Sequence, residues 1–137
     1  MKSTEITVQT SSRRGVFDIT PECERFLSAE AADADGLLHL FVQHTTAGLV
    51  VMELGSGSEV DLMEALDRVL PRDDRWRHRH GSPGHGADHL VSMLAAPGLT
   101  LPVIGGRLAL GTWQSIALVD PNQDNATRTV RLSFLAG

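Results

Sequence analysis

The run LLHLFVQH, residues 37–44, decides the fold. Leu38, Leu40 and Val42 alternate along one side, and Leu37, His39 and Phe41 along the other. Both faces are therefore largely apolar, the pattern of a strand in the middle of a sheet. Period two continues the first face to His44, which emerges at the lip of an apolar surface. The next apolar run, Leu49 to Leu54, reads as the neighbouring strand and carries Glu53 near its end.

Outward from this pair, strands dominate. Residues Glu5 to Ser11 alternate, with Ile6 and Val8 opposite Glu5, Thr7 and Gln9, as in a strand with one wet face. Gly15 to Ile19 follows a Ser-Arg-Arg-Gly turn and reads as its hairpin partner. Thr20-Pro21 then reads as an N-cap followed by proline at the first helical position, opening a helix that runs to about Ala32. Ser58 to Leu70 is the clearest helix, its stripe of Leu62, Met63, Leu66, Val69 and Leu70 ending before Pro71. A short helix is expected around His89 to Ala95. Three strands complete the pattern: Leu99 to Ile104, Leu108 to Asp120 with a break near Gly111, and Thr127 to Leu135. With no repeat and no linker, residues 1–137 read as a single α+β domain, mainly antiparallel sheet or sandwich with two or three helices.

Composition narrows the function. Hydrophobic content of 42% and charged content of 21% fit a folded chain, and the net charge of −5 argues against broad nucleic-acid or anionic-membrane binding. Arg72, Arg75, Arg77 and Arg79 nevertheless make a local cationic patch suited to a small phosphorylated ligand. Cys23 is the only cysteine, so no intrachain disulfide forms, and its helical surroundings suggest a core residue. No apolar leader or long apolar run is present, which gives the expectation of a cytoplasmic protein with no membrane partner.

Four of the six histidines fall in RWRHRHGSPGHGADH, residues 75–89: His78, His80, His85 and His89. Neutral imidazole is the commonest metal ligand, and the Gly/Pro-rich segment lets the backbone fold back so that rings on either side converge. The ordinary alternative is a solvated, arginine-rich loop. His44 has its own alternative, a strand cap made through one backbone hydrogen bond. Mid-strand His39 reads as a hydrogen-bonded core or interface residue, and Trp76 as the anchor of a long loop. For Glu53 an exposed strand-end carboxylate and a functional group are equally open. Gly111 interrupts a strand, as at a bulge or close backbone approach, and is followed by Thr112, Trp113 and Gln114. Arg128 continues the apolar face of Val130, Leu132 and Phe134, as a carboxylate or phosphate clamp or as a side chain snorkelling to solvent.

QHTTAGL, an apolar strand ending in Glu, a histidine-rich loop and GRLALGTWQSI together resemble the YjbQ-like family, also called the secondary thiamine-phosphate synthase family. The resemblance runs from about Glu5 to Gly137, with QHTTAG and LGTWQ its most specific pieces. It implies a compact α+β domain that assembles as a homotrimer, for which the few aromatic residues (four Phe, two Trp, no Tyr) are a minor further sign. It also implies a small-molecule enzyme with thiamine-phosphate synthase activity, joining a pyrimidinylmethyl diphosphate to a thiazole phosphate; the alternative is a non-catalytic metal- or phosphate-binding trimeric module. The resemblance carries metal ligation onto His44, His80 and His89, with His78 a competitor of His80 and His85 without a counterpart. A divalent metal is implied, and three imidazoles with an open position suit zinc; without a metal the same trio suits phosphate or sulfate. Catalytic roles fall on His44 and Glu53. Substrate contacts fall on Thr45, Thr46, Gly111, Thr112, Trp113, Gln114 and Arg128. Thr46 stands where the family has Ser, and Met52 where it has Asn.

Overall fold

Two antiparallel sheets carry the fold in the computed structural model, which describes residues 1–137. In chain order the elements are β1 (Lys2–Gln9), β2 (Gly15–Asp18), α1 (Thr20–Glu30), β3 (Gly36–Val42), β4 (Gly48–Met52) and α2 (Ser58–Val69). There follow α3 (His85–Asp88), a 3-10 turn at Val91–Met93, β5 (Gly98–Ile104), β6 (Arg107–Leu108), β7 (Ser115–Asp120) and β8 (Thr127–Ala136). The larger sheet has the order β1-β8-β3-β5-β6 and the smaller one β2-β7-β4. The architecture is α+β, with three helices against the sheets.

Alternation along the strands builds the core. Leu38, Leu40 and Val42 of β3 are buried beside Val130, Leu132 and Phe134 of β8 and Leu101 and Val103 of β5. Ile116 and Leu118 of the second sheet and Cys23, Phe26 and Leu27 of α1 join the same apolar cluster. Each such fully buried leucine or isoleucine contributes about 1.5–3 kcal/mol relative to exposure. Burial pushes the Cys23 thiol up to about 12, so it packs as a small apolar side chain. The other face of β3 is uncovered: Leu37 and Phe41 are 46% and 44% exposed, with His39 between them bonded through Nδ1 to Thr100 Oγ1 at 2.8 Å.

Pairing departs from the sequence expectation in two places. β2 is not the hairpin partner of β1 but pairs with β7 in the other sheet, while β1 matches β8 over eight positions. The turn explains this: Ser11 and Ser12 both take left-handed φ (56° and 55°), and Thr10 and Ser11 donate their N–H groups to Ala126 O. The end of β1 is thereby held beside β8 while the chain leaves the sheet. Nor is β4 the neighbour of β3; it pairs with β7. Gly48 permits that crossing, because a Cβ there would lie 1.9 Å from Ala95 O.

Two element boundaries also move. The long strand expected over residues 108–120 is split into β6 and β7 by a turn. There Gln114 N–H donates to Gly111 O and Gly111 N–H to Gln114 Oε1, at 3.0 and 2.8 Å. The short helix expected around His89 to Ala95 is a 3-10 turn at Val91–Met93, preceded by a separate turn of helix at His85–Asp88 that Gly84, in left-handed φ, opens. No helix is long and apolar enough to cross a membrane.

Candidate functional site

The segment between α2 and α3 is long and polar, yet several anchors fix it. Trp76 donates its indole N–H to Pro71 O at 2.7 Å, the loop-anchoring role expected of it. Arg72 forms an ion pair with Asp88, whose side chain is 1% exposed, and also donates to Pro121 O and Pro83 O at 3.1 and 2.8 Å. Gly86 allows the two arms of the segment to press together, since a Cβ there would lie 2.3 Å from His78 O.

This folding-back converges four imidazoles. Ring centroids of His78, His80, His85 and His89 lie between 4.0 and 6.5 Å apart, pair by pair. One ring nitrogen from each of His78, His80 and His85 falls within 4.8 Å of the others. His89 joins through Nε2, 2.8 Å from His85 Nε2. His78 and His89 are both held below the usual histidine value, by loss of solvation first and then by the neighbouring rings.

The loop from β7 to β8 supports this group. Asp120 Oδ1 accepts from Asn122 N–H at 3.0 Å, and Asn122 Oδ1 accepts from Asp124 N–H at 2.8 Å, a ladder of side-chain turns. Asn122 Nδ2 donates to Asp88 Oδ2 at 2.8 Å, tying the loop to α3. Asp124 Oδ2 sits 2.9 Å from His85 Nδ1. Hydrogen bonds from Ser82, then from His85 and Asn122, hold the Asp124 carboxyl down to about 2. A carboxylate there takes the hydrogen of His85 Nδ1 and leaves Nε2 with a lone pair facing the other rings. Sequence reasoning missed Asp88, Asn122 and Asp124; the available signal was the Asp-x-Asn-x-Asp spacing of residues 120–124, directly after a buried strand.

Of the expected metal ligands, His80 and His89 belong to the four-ring group, and His78 and His85 complete it. His44 stands apart. Its Nε2 accepts from Thr129 N–H at 2.9 Å, the strand-capping contact that its position left open. Burial, then the nearby Arg128 cation, holds His44 below the usual histidine value, with Asp120 opposing. His44 and His89 meet as walls of one open cavity of about 640 Å³ between β3 and the 3-10 turn, which Thr45 also lines.

Arg128 is neither a free clamp nor a snorkelling side chain. It is 1% exposed and grips Asp120 with Nε and Nη2 at 2.7 and 2.8 Å, while Nη2 also donates to Thr46 Oγ1 at 2.9 Å. Its carboxylate partner is internal. Thr46 is buried with it, so both hold the floor beneath His44 together.

The remaining expected site residues lie at the other end of the molecule. β7 runs from Ser115 to Asp120, a span of roughly 17 Å at about 3.3 Å per residue. Gly111, Thr112, Trp113 and Gln114 form the turn entering the Ser115 end, and Met52, which pairs with Ser115, precedes Glu53. Trp113 is 73% exposed and Glu53 is exposed. Within one chain these residues are not brought to the histidines.

The chain matches the family model described as UPF0047 protein YjbQ-like over residues 4–137. It is 52% identical over 134 residues to a UPF0047 protein of Mycobacterium tuberculosis, covering 98% of each chain. Among solved structures, a hypothetical protein from Aeropyrum pernix is similar with a TM-score of 0.90 and 33% identity, covering 100% of both chains. A YbjQ-like protein of unknown function from Sulfolobus solfataricus is similar with a TM-score of 0.90 and 25% identity, covering 99% of this chain and 97% of that one.

Proposed function

The chain belongs to the UPF0047 YjbQ-like family, and from the histidine geometry we propose that it is a small-molecule enzyme using a divalent metal held by His78, His80 and His85, with His89 beside them. The observation that carries this reading is the convergence of four imidazoles backed by a carboxylate, Asp124, on the far nitrogen of His85. The donor set fits zinc: nitrogen ligands alone, from neutral rings, with a second-layer carboxylate orienting one of them. For zinc bonds of about 2.0–2.1 Å, tetrahedral nitrogens stand about 3.4 Å apart. The nitrogens of His78, His80 and His85, now within 4.8 Å of one another, would have to draw together to reach that spacing. His44 is better suited to the ligand than to the metal, because its Nε2 lone pair is already engaged.

The reaction implied by the resemblance joins a pyrimidinylmethyl diphosphate to a thiazole phosphate. A carbon–nitrogen bond forms at the methylene as the carbon–oxygen bond to the diphosphate breaks and pyrophosphate leaves. A bound cation would supply charge neutralisation for that departing group. The exposed Arg77 and Arg79 beside the histidines would attract the phosphates, since Arg128 is committed to Asp120. A homotrimer is supported by the uncovered sheet face, where Leu37, Phe41 and Leu135 stand out on adjacent strands. Assembly would also offer Glu53 and the Gly111–Gln114 turn a route to the histidines of another copy.

Metal analysis of the purified protein, followed by an assay with both phosphorylated substrates, tests the reading. The expected result is stoichiometric zinc and product formation that a chelator abolishes. Zinc without turnover would favour the second reading, a binding module, which the separation of Glu53 from the histidines within one chain supports.

A further inference from the structure

His44 lies on the QHTTAG motif, yet it is outside the ring cluster and its bonding is unlike that of the other histidines. Thr129 belongs to β8, paired on one side with β1 and on the other with β3. Its main-chain N–H donates to His44 Nε2 at 2.9 Å. A main-chain nitrogen has one hydrogen, and that hydrogen points at Nε2, so Nε2 must present a lone pair. A neutral imidazole in that position carries its own hydrogen on Nδ1. Placing a proton or a metal on Nε2 would leave the Thr129 donor without its partner. The guanidinium of Arg128, held beneath by Asp120 and Thr46, further disfavours a second positive charge at the ring.

No protein group accepts a hydrogen bond from His44 Nδ1. The cavity that His44 lines has Phe41, Val42 and Pro97 as apolar wall and Gln43, Thr45, Ser92 and His89 as its other polar residues. No carboxylate lines it. Its polar walls can donate hydrogen bonds without meeting a fixed negative charge, which selects an acceptor-rich occupant.

We propose that His44 is a fixed, neutral hydrogen-bond donor, and that Nδ1–H holds an oxyanion of a small ligand in the cavity shared with His89. The role is binding, not proton abstraction and not metal ligation. A donor locked to a rigid strand needs no reorganisation when the oxyanion arrives. The inference rests on reading this end of the molecule as a ligand site, and it does not require a metal.

The test is nitrogen-15 NMR of the histidines in the full, metal-stripped protein at about pH 7.5, where a free histidine is largely neutral. His44 is expected as the Nδ1–H tautomer, and inorganic phosphate is expected to shift its Nδ1 signal saturably. His44→Ala should weaken phosphate binding by about tenfold or more, the scale of a lost hydrogen bond to a charged group. His44→Asn, whose amide nitrogen takes the place of Nδ1, should recover most of that loss, and both variants should retain the zinc content of the parent. An Nε2–H tautomer, an imidazolium, phosphate affinity unchanged in His44→Ala, or zinc lost with His44 would each overturn the inference. If His44→Ala does not fold, the tautomer and the phosphate titration of the parent protein decide the matter. Absence of zinc in the parent would defeat the metal reading alone, since none of the expected tautomer and phosphate results depends on it.

Discussion

His85 and His89 face each other through their Nε2 atoms at 2.8 Å, so at most one hydrogen lies between them. Asp124 settles which ring supplies it. By accepting from His85 Nδ1 at 2.9 Å, the carboxylate leaves His85 Nε2 as acceptor and His89 Nε2–H as donor. A cation entering the group would take the His85 lone pair and displace the His89 hydrogen.

That arrangement ranks the ligands. His85→Ala should abolish zinc binding, whereas His44→Ala should leave it intact. Asp124→Ala keeps all four rings but should lower zinc affinity about 10–100-fold, the usual effect of removing an outer-shell partner. Chelator competition measures both effects. Equal affinity for Asp124→Ala and the parent would mean that the carboxylate does not set the ring.

The buried ion pair of Arg128 and Asp120 is structural, and its loss should appear in stability. Both side chains are at most 1% exposed and joined by two hydrogen bonds. Arg128→Ala leaves a buried carboxylate unpaired and should cost about 3–5 kcal/mol. Urea denaturation followed by circular dichroism gives the value. A stable Arg128→Ala protein that fails to bind phosphate would instead restore Arg128 to the ligand site.

Acid should destabilise the metal-free protein in two stages. His44, His78 and His89 all have folded values below their unfolded ones, by burial first and then by nearby positive groups. The unfolded chain therefore takes up protons first, and stability complete above about pH 6.5 falls as pH drops through the folded values. Asp124 follows at lower pH: its contribution, present above the unfolded value of 3.8, is lost as pH falls through about 2. Asp88 opposes this, since burial raises its folded value and protonating it relieves the buried charge. The urea midpoint should be lower at about pH 5.5 than at about pH 7.5. Equal midpoints would refute the histidine stage.

Oligomer formation should depend on the uncovered sheet face. Phe41→Asp places a charge on the face that Leu37 and Leu135 share, opposite Arg131, without entering the core, since Phe41 points away from Leu40 and Val42. It should turn a trimer into folded monomers by sedimentation while the urea transition stays cooperative. A trimer that survives the substitution would locate the interface elsewhere.

Much of this was legible in the sequence because it is local. Alternation along residues 37–42 fixed a central strand and the face that Leu38, Leu40 and Val42 bury. The stripe from Leu62 to Leu70 fixed α2, and the crowding of histidines between residues 78 and 89 marked where four rings converge. Motif resemblance identified the family over nearly the whole chain. Partner choice was not local. Gly15–Asp18 has too few residues to declare whether it pairs with β1 or β7, and the left-handed serines that decide it carry no strong signature of that conformation. The bonding of the histidines was not local either: the contacts of His85 and His44 depend on Asp124 and Thr129, distant in the chain and brought close only by the β7–β8 loop and the β8 register. Arg128 made the same point from inside, since period two placed it on the apolar face but only packing supplied Asp120 as its partner. Periodicity determines which side a residue faces; the tertiary structure decides what it meets there, because a hydrogen bond needs a particular atom at a particular distance and the pattern of one strand does not specify its neighbour.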